Sequence, residues 1–151
     1  MRILLRLAYR ALLGYWFLFR PVTLGVRLLL IRADQVLLVR HSYQNAWFLP
    51  GGGVKRGETL EQAIRREANE ECGAVLHHLE LLGVYSQFVE YKSDHSVLFL
   101  SMDFSLQGRP DSEIEQVAFF PFAQLPADLS PGSQRRIEEY LGGKIPLFGR
   151  W

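Results

Sequence analysis

Cysteine is almost missing from this chain. Cys72 stands alone, so no internal disulfide can form and no Cys/His zinc cluster of the usual spacing can be assembled. A lone thiol near the apolar arc of a helix reads as buried and free, which is compatible with a reducing cytoplasm. An excess of charge of either sign is missing as well. The formal net charge is +1, so no strong electrostatic pull toward nucleic acid is implied. Internal repeats and low-complexity stretches are absent. Within the first twenty residues the longest uncharged run, Ala11 to Phe19, is well short of the roughly 20 residues that span a bilayer. Phe19-Arg20-Pro21 is a poor cleavage site for a secretory signal.

What is present suits a folded domain. Apolar residues make up 48% of the 151 and aromatics 13%, enough for one domain with a sizeable core. Val22 to Arg32 and Val36 to Arg40 are β-rich runs around the short break Ala33-Asp34-Gln35, a hairpin pattern. Leu79 to Val89 and Ser96 to Phe104 read as two long strands separated by the polar loop Glu90 to His95. Gln107 to Ser112 reads as a loop, Ile114 to Phe120 as a strand, and Ser133 to Leu141 as a helix stopped by Gly142-Gly143. Strands alternate with helices, so the fold class is α/β.

Residues 1–21 form a separate unit, an apolar helix candidate with a basic stripe at Arg2, Arg6 and Arg10, ended by Pro21. Three roles stay open for it: packing on the domain or on a second copy as a homodimer, lying at a membrane surface, or inserting into the membrane. Residues 22–151 hold the domain.

The segment Gly52 to Ala74 carries the chemistry. Thr59 and Gln62 form a capping box, and Gly73 supplies a left-handed stop. The helix between them runs about three and a half turns. Leu60, Ala63, Ile64 and Ala68 share one arc, and Glu67, Glu70 and Glu71 share an overlapping face, leaving Glu61, Arg65 and Asn69 outside. Like charges at helical spacing repel, and partial burial raises the cost of ionising them. A hard cation with oxygen ligands removes both problems, and Mg²⁺ is usual beside phosphates. The plainer reading is a solvated acidic face laced by Arg66 to Glu70. The loop Gly51-Gly52-Gly53 just before the helix, and Glu58 in the turn, favour the cation.

These residues resemble the Nudix box, G-x5-E-x7-R-E-U-x-E-E-x-G-U with U aliphatic. Gly52, Glu58, Arg66, Glu67, Glu70, Glu71 and Gly73 fill every fixed position, and Ala68 and Ala74 take the aliphatic places. Trp47 to Gly53 resembles the approach to the box in such hydrolases, and the likeness covers roughly residues 22 to 142.

The resemblance implies the Nudix fold, a mixed β-sheet sandwiched between helices (α/β/α), here with the extra N-terminal helix. It implies water attack on a phosphorus of an X-linked diphosphate, with Mg²⁺ or Mn²⁺ as cofactor. By the same likeness Glu70 and Glu71 are metal ligands and Glu67 is either a third ligand or the general base. The Gly51 carbonyl completes the metal shell, and Arg66 orients the catalytic glutamates. Gly52, Glu58 and Gly73 support the loop and helix. A distal carboxylate is expected beyond the box, Glu113 in preference to Glu115; the alternative for either is a solvated loop acid.

The box does not identify the group X. Tyr91 stands about where some dinucleoside polyphosphate hydrolases carry a tyrosine, and Trp47, Tyr43, Phe88 and Tyr91 are aromatics able to stack on a base or to fill core and rim. The implied partner is a small nucleotide or other diphosphate in the cytoplasm, with peripheral membrane contact through residues 1–20 left open. A Nudix-fold protein that binds nucleotides without hydrolysis is the other class; such members usually lose box glutamates, and this chain keeps them all.

Overall fold

The computed structural model describes the backbone of residues 2–151 and the side chains of residues 10–151. Helix α1 spans Arg2–Phe19 and precedes strands β1 (Val22–Arg32) and β2 (Gln35–His41). Helix α2 (Leu60–Cys72) follows, then β3 (Ala74–Leu76), β4 (Glu80–Val89), β5 (Lys92–Ser101), β6 (Phe104–Leu106) and β7 (Ile114–Pro121). Helix α3 (Pro131–Leu141) and strand β8 (Phe148–Arg150) end the chain. Six strands form one mixed sheet in the order β7-β2-β1-β5-β4-β8, and β3 pairs with β6 separately.

Alternation along β1 explains the layers. Val26, Leu28 and Leu30 point to one face and pack with Ala63, Ile64 and Ala68 of α2. Leu29 and Ile31 point to the other and pack with Ile137 of α3, Trp47 and Tyr85. Both faces of β1 are covered, so it reads as a nearly continuous apolar run. Arg27 is the single charge inside that run. β1 bonds β2 only at Ile31–Val36 and Arg32–Gln35. Beyond that point the strands part, and the segment from Trp47 to Gly53 occupies the gap. Phe48 exchanges backbone bonds with Val39, while the amides of Leu28 and Val26 donate to the carbonyls of Pro50 and Gly52. The glycine loop is therefore fixed by the sheet.

Several sequence expectations need correction. Glu90 to His95 is not a loop. Glu90 and Tyr91 alone make the turn, both with positive φ, and β5 starts at Lys92 because Lys92 to His95 pair with β4 on one side and, from Ser93, with β1 on the other. Ser96 to Phe104 is not one strand either. The chain bends at Met102-Asp103, where the carbonyl of Asp103 accepts from the amides of His77 and His78. The short strands β3, β6 and β8 carry too few residues to show a period.

Helix α1 ends at Phe19 and Arg20 takes φ 44°. The Arg2 and Arg6 side chains of the expected basic stripe lie outside the described residues; Arg10 is exposed. The ring of Phe17 meets Tyr91 edge-on at 5.2 Å, and Lys92 Nζ lies 4.0 Å over Trp16. Among the described residues no helix is long and apolar enough to cross a membrane.

Candidate active site

The helix that carries the acids is built as its caps dictate. The Thr59 hydroxyl accepts from the Gln62 amide, the Gln62 side chain accepts from the Thr59 amide, and Gly73 ends the helix with φ 64°. A side chain at Gly73 would also collide with the backbone of Gly108.

The apolar arc turns inward and takes two carboxylates with it. Glu67 and Glu71 are each 8% exposed, whereas Glu70, one position round, is half-exposed. Gly52 makes room for Glu67: a Cβ there would stand 2.5–2.7 Å from the Glu67 carboxylate. Gly51 makes room for the sheet, since at its φ of 140° a Cβ would strike the Val26 carbonyl. Its amide donates to Glu71 Oε2 at 2.8 Å.

Arg66 ties the parts together. Its guanidinium donates to Glu58 at 2.7 and 2.9 Å, to Glu67 Oε1 at 2.5 Å, to Glu70 Oε2 at 3.0 Å and to the Gly53 carbonyl at 3.0 Å. Charge-assisted bonds of this kind are the strong ones. Arg66, with the Lys55 amide, holds the Glu58 carboxyl down at about 2, and Glu58 and the other two carboxylates push Arg66 upward. Lys55 Nζ is 3.8 Å from Glu70.

Glu67, Glu71 and Glu113 line one cavity of about 350 Å³, with the glycine loop as its wall. Arg27, His41 and Gln44 line it too. Burial is the first cause that pushes the Glu71 carboxyl up to about 7; the Gly51 amide opposes it, and the neighbouring charge of Glu67 adds to it. His41 Nε2 stands 3.6 Å from Glu71 Oε1. Burial, then Arg27, lowers the His41 pKa, against Glu113. Burial, then Glu113, raises that of Tyr43.

The expected residues therefore divide. Glu67, Glu71, Gly51, Gly52 and Glu113 meet at the cavity, and Arg66, Glu58 and Gly73 brace it. Glu70 sits beside it, bonded to Arg66 and Lys55 instead of lining it. Glu115 is exposed and lines none of the cavities described. Trp47 and Tyr91 do not line it either. Trp47 is 6% exposed, edge-on to Phe120 at 4.8 Å and covered by the Arg40 guanidinium, so it belongs to the core. Tyr91 packs on α1.

Nothing in the motif points to Arg27, His41 or Gln44 as site residues. Arg27 carried one signal, a lone cation inside an apolar strand. The other two become visible only when the β2 end and its following turn fold over the cavity.

Among the described residues no three His, Cys, Asp or Glu side chains converge as a ready metal cluster. The donor chemistry nevertheless suits a hard cation. All the candidates are oxygens, two are buried carboxylates on one cavity wall, and the buried pair lacks a counter-charge for Glu71 other than the half-buried His41 and the more distant Arg27.

Comparison with known proteins agrees with this geometry. A family model described as NUDIX domain matches residues 21–140. An RNA pyrophosphohydrolase of Marinomonas sp. is 38% identical over 74 residues, 49% of this chain and 45% of that protein. One of Psychromonas ingrahamii is 43% identical over 58 residues, 38% of this chain and 32% of that protein. The match thus spans less than half the length of these relatives. Among solved structures, a MutT NUDIX hydrolase from Burkholderia pseudomallei superposes with TM-score 0.71 at 26% identity, covering 78% of this chain and 96% of that one. The NUDIX domain of Shewanella oneidensis NrtR, solved with ADP ribose, gives 0.68 at 25% identity over 80% and 87%.

Proposed function

Since the chain belongs to the Nudix family, we propose that it is a divalent-cation-dependent hydrolase of a diphosphate linked to a nucleoside or another group X. The observation that carries this reading is the placement of two buried carboxylates, Glu67 and Glu71, on one wall of a cavity whose other wall is the Gly51–Gly53 loop. Burying like charges side by side is costly without a function for them.

When bound, Mg²⁺ or Mn²⁺ held by Glu67 and Glu71, with Glu70, Glu113 and the Gly51 carbonyl as further candidate ligands, supplies charge neutralisation at the phosphoryl oxygens and activates water. The protein supplies position. Arg66 fixes Glu58, Glu67 and Glu70 against the loop, so the acids hold their geometry before substrate arrives. The Gly51 amide orients Glu71. Arg27 offers a guanidinium to the same cavity, suited to a phosphate oxygen. Glu67, with its charge stabilised by Arg66, is the candidate to accept the proton of the attacking water where it does not itself hold the cation. The single buried thiol of Cys72 supports a cytoplasmic setting.

The relatives called RNA pyrophosphohydrolases put a 5′-triphosphorylated RNA end on the list of substrates to try, beside nucleoside triphosphates, nucleotide sugars and dinucleoside polyphosphates. The test is that panel with Mg²⁺ or Mn²⁺, scored by phosphate released after phosphatase coupling. At least one member should be cleaved, and cleavage should stop with chelator. Undiminished hydrolysis in excess EDTA overturns the reading.

A further inference from the structure

A second cavity of about 390 Å³ opens beside the first and shares Arg27, Gln44 and Phe48 with it. A molecule held at the carboxylates can therefore continue into it. Among the described residues its lining holds no Asp or Glu side chain; Arg27 and Arg135 are its basic side chains, Arg135 being bonded to the Trp151 main-chain oxygen, and Gln44 and Gln87 give it amides.

Its most specific wall is Trp151. Strand β8 brings this residue in by pairing parallel to β4, Val84 with Phe148 and Ser86 with Arg150. The Trp151 amide donates to the Ser86 carbonyl at 3.0 Å, and its carbonyl accepts from Arg135 Nη1 at 2.9 Å. The indole lies on the first turn of α3, where a Cβ at Gly132 would collide with its Nε1 and Cδ1. Behind it stand the Tyr85 ring at 6.1 Å and the Arg136 guanidinium at 5.9 Å. The indole is thus packed against Gly132, Tyr85 and Arg136 while its residue stays half-buried at a cavity wall. The family match covers residues 21–140, and Trp151 follows it.

We propose that Trp151 determines specificity: the second cavity takes the planar base of a nucleoside X, stacked on the indole, with Arg27 and Arg135 beside the charged part and Gln44 and Gln87 at the base edge. This rests on the hydrolase reading for its first cavity. Base-on-aromatic stacking needs a flat, positioned ring and tolerates different bases, and a cavity of this size is in the usual range for a small ligand.

The test separates the two readings. GMP and AMP are titrated into the metal-free wild-type protein while the three indole N–H signals are followed by NMR, that of Trp151 being assigned with Trp151→Phe. The Trp151 signal should move with both nucleotides and stay still with ribose 5-phosphate. In turnover, Trp151→Ala should raise KM for a nucleoside triphosphate roughly ten- to a hundredfold. kcat should change little, and 5-phosphoribosyl diphosphate, which has no base, should be cleaved as before. Trp151→Phe should recover most of the loss. A silent Trp151 signal, or equal damage to both substrates, overturns the proposal even if Trp151→Ala is unfolded, since the titration uses the unaltered chain. Nucleotide binding at Trp151 without any diphosphate hydrolysis sinks the hydrolase reading and leaves this subsite standing.

Discussion

Helices α1 and α2 reverse the usual rule of composition. Among the described side chains the apolar helix stays largely exposed, while the acidic one buries a full face. Tyr15, Phe17, Leu18 and Phe19 of α1 are all more than half exposed, whereas six residues of α2 are buried, including Glu67 and Glu71. Hydrophobic content drives burial only where a complementary face exists. Helix α2 has one in Val26, Leu28 and Leu30, and its carboxylates are carried in with the arc they share. Arg66 and the glycine-loop amide compensate part of their cost. The residual cost is concentrated at Glu71, where the proposed cation would relieve it. Helix α1 holds no such constellation in its sequence.

The strongest way to test this contrast is to neutralise α2. Glu71→Gln keeps volume and removes a buried charge; Glu70→Gln removes a half-exposed one at its flank. For Glu71→Gln we expect kcat to fall by roughly two to four orders of magnitude, about 3 to 5 kcal/mol of barrier, with folding intact. Steady-state kinetics at saturating Mg²⁺ decide. Near-normal turnover in Glu71→Gln would mean that the acidic helix is buried for some reason other than catalysis.

Arg66→Ala removes the clamp. Three carboxylates lose a common partner, and Glu67 is left buried beside Glu71, so unfolding free energy should drop by about 3 kcal/mol. Glu58 supplies an independent readout. Its folded-state pKa is depressed from 4.5 to about 2, so its contribution is present above pH 4.5 and is lost as pH falls through 2. In Arg66→Ala its titration should move back toward 4.5 in NMR. An unmoved Glu58 would show that the Lys55 amide holds it alone.

Glu71 has the opposite sign. Its pKa is raised from 4.5 to about 7, so the protonated form favours the metal-free fold. That contribution is complete below pH 4.5 and disappears as pH rises through 7. In EDTA the wild type should lose about 3 kcal/mol between these limits on this account, and Glu71→Gln should not. Chemical denaturation at pH 4.5 and 8 measures the difference. Equal slopes in the two proteins would show that burial does not strain this carboxylate.

The same contrast explains what could be read from the chain. Local chemistry was legible: Thr59, Gln62 and Gly73 set the ends of α2, and 3.6-residue periodicity put Glu67, Glu70 and Glu71 on a face overlapping the apolar arc, of which the fold buries Glu67 and Glu71 and leaves Glu70 half-exposed. The long strands β1, β2, β4 and β7 followed from β-rich runs bounded by turn residues. What depended on distant partners was not legible. Lys92 to His95 look polar enough for a loop, but β1 pairs with them from Ser93 on and makes them strand. Trp47 looks like a ligand for a base but is taken by Phe120 and Arg40, whereas Tyr91, edge-on to Phe17, stays exposed and does not line the carboxylate cavity. Trp151 attracts no notice until β8 reaches β4.

The smallest expected effect belongs to α1. Just after α1 the Pro21 carbonyl accepts from the Ser93 amide at 3.0 Å. Through its described side chains α1 meets the β4–β5 turn, Phe17 on Tyr91 and Trp16 under Lys92. None of these residues lines the carboxylate cavity or the second cavity. Deleting residues 1–20 should therefore leave kcat on a small soluble substrate within about tenfold, under roughly 1.4 kcal/mol of barrier. It should instead change solubility or association, because a contiguous set of exposed aromatic and aliphatic side chains is removed. Turnover and light scattering on the truncated protein measure both. Complete loss of activity in a folded, monodisperse truncation would show that the β4–β5 turn transmits α1 to the reaction centre, and the two helices would then be parts of one device.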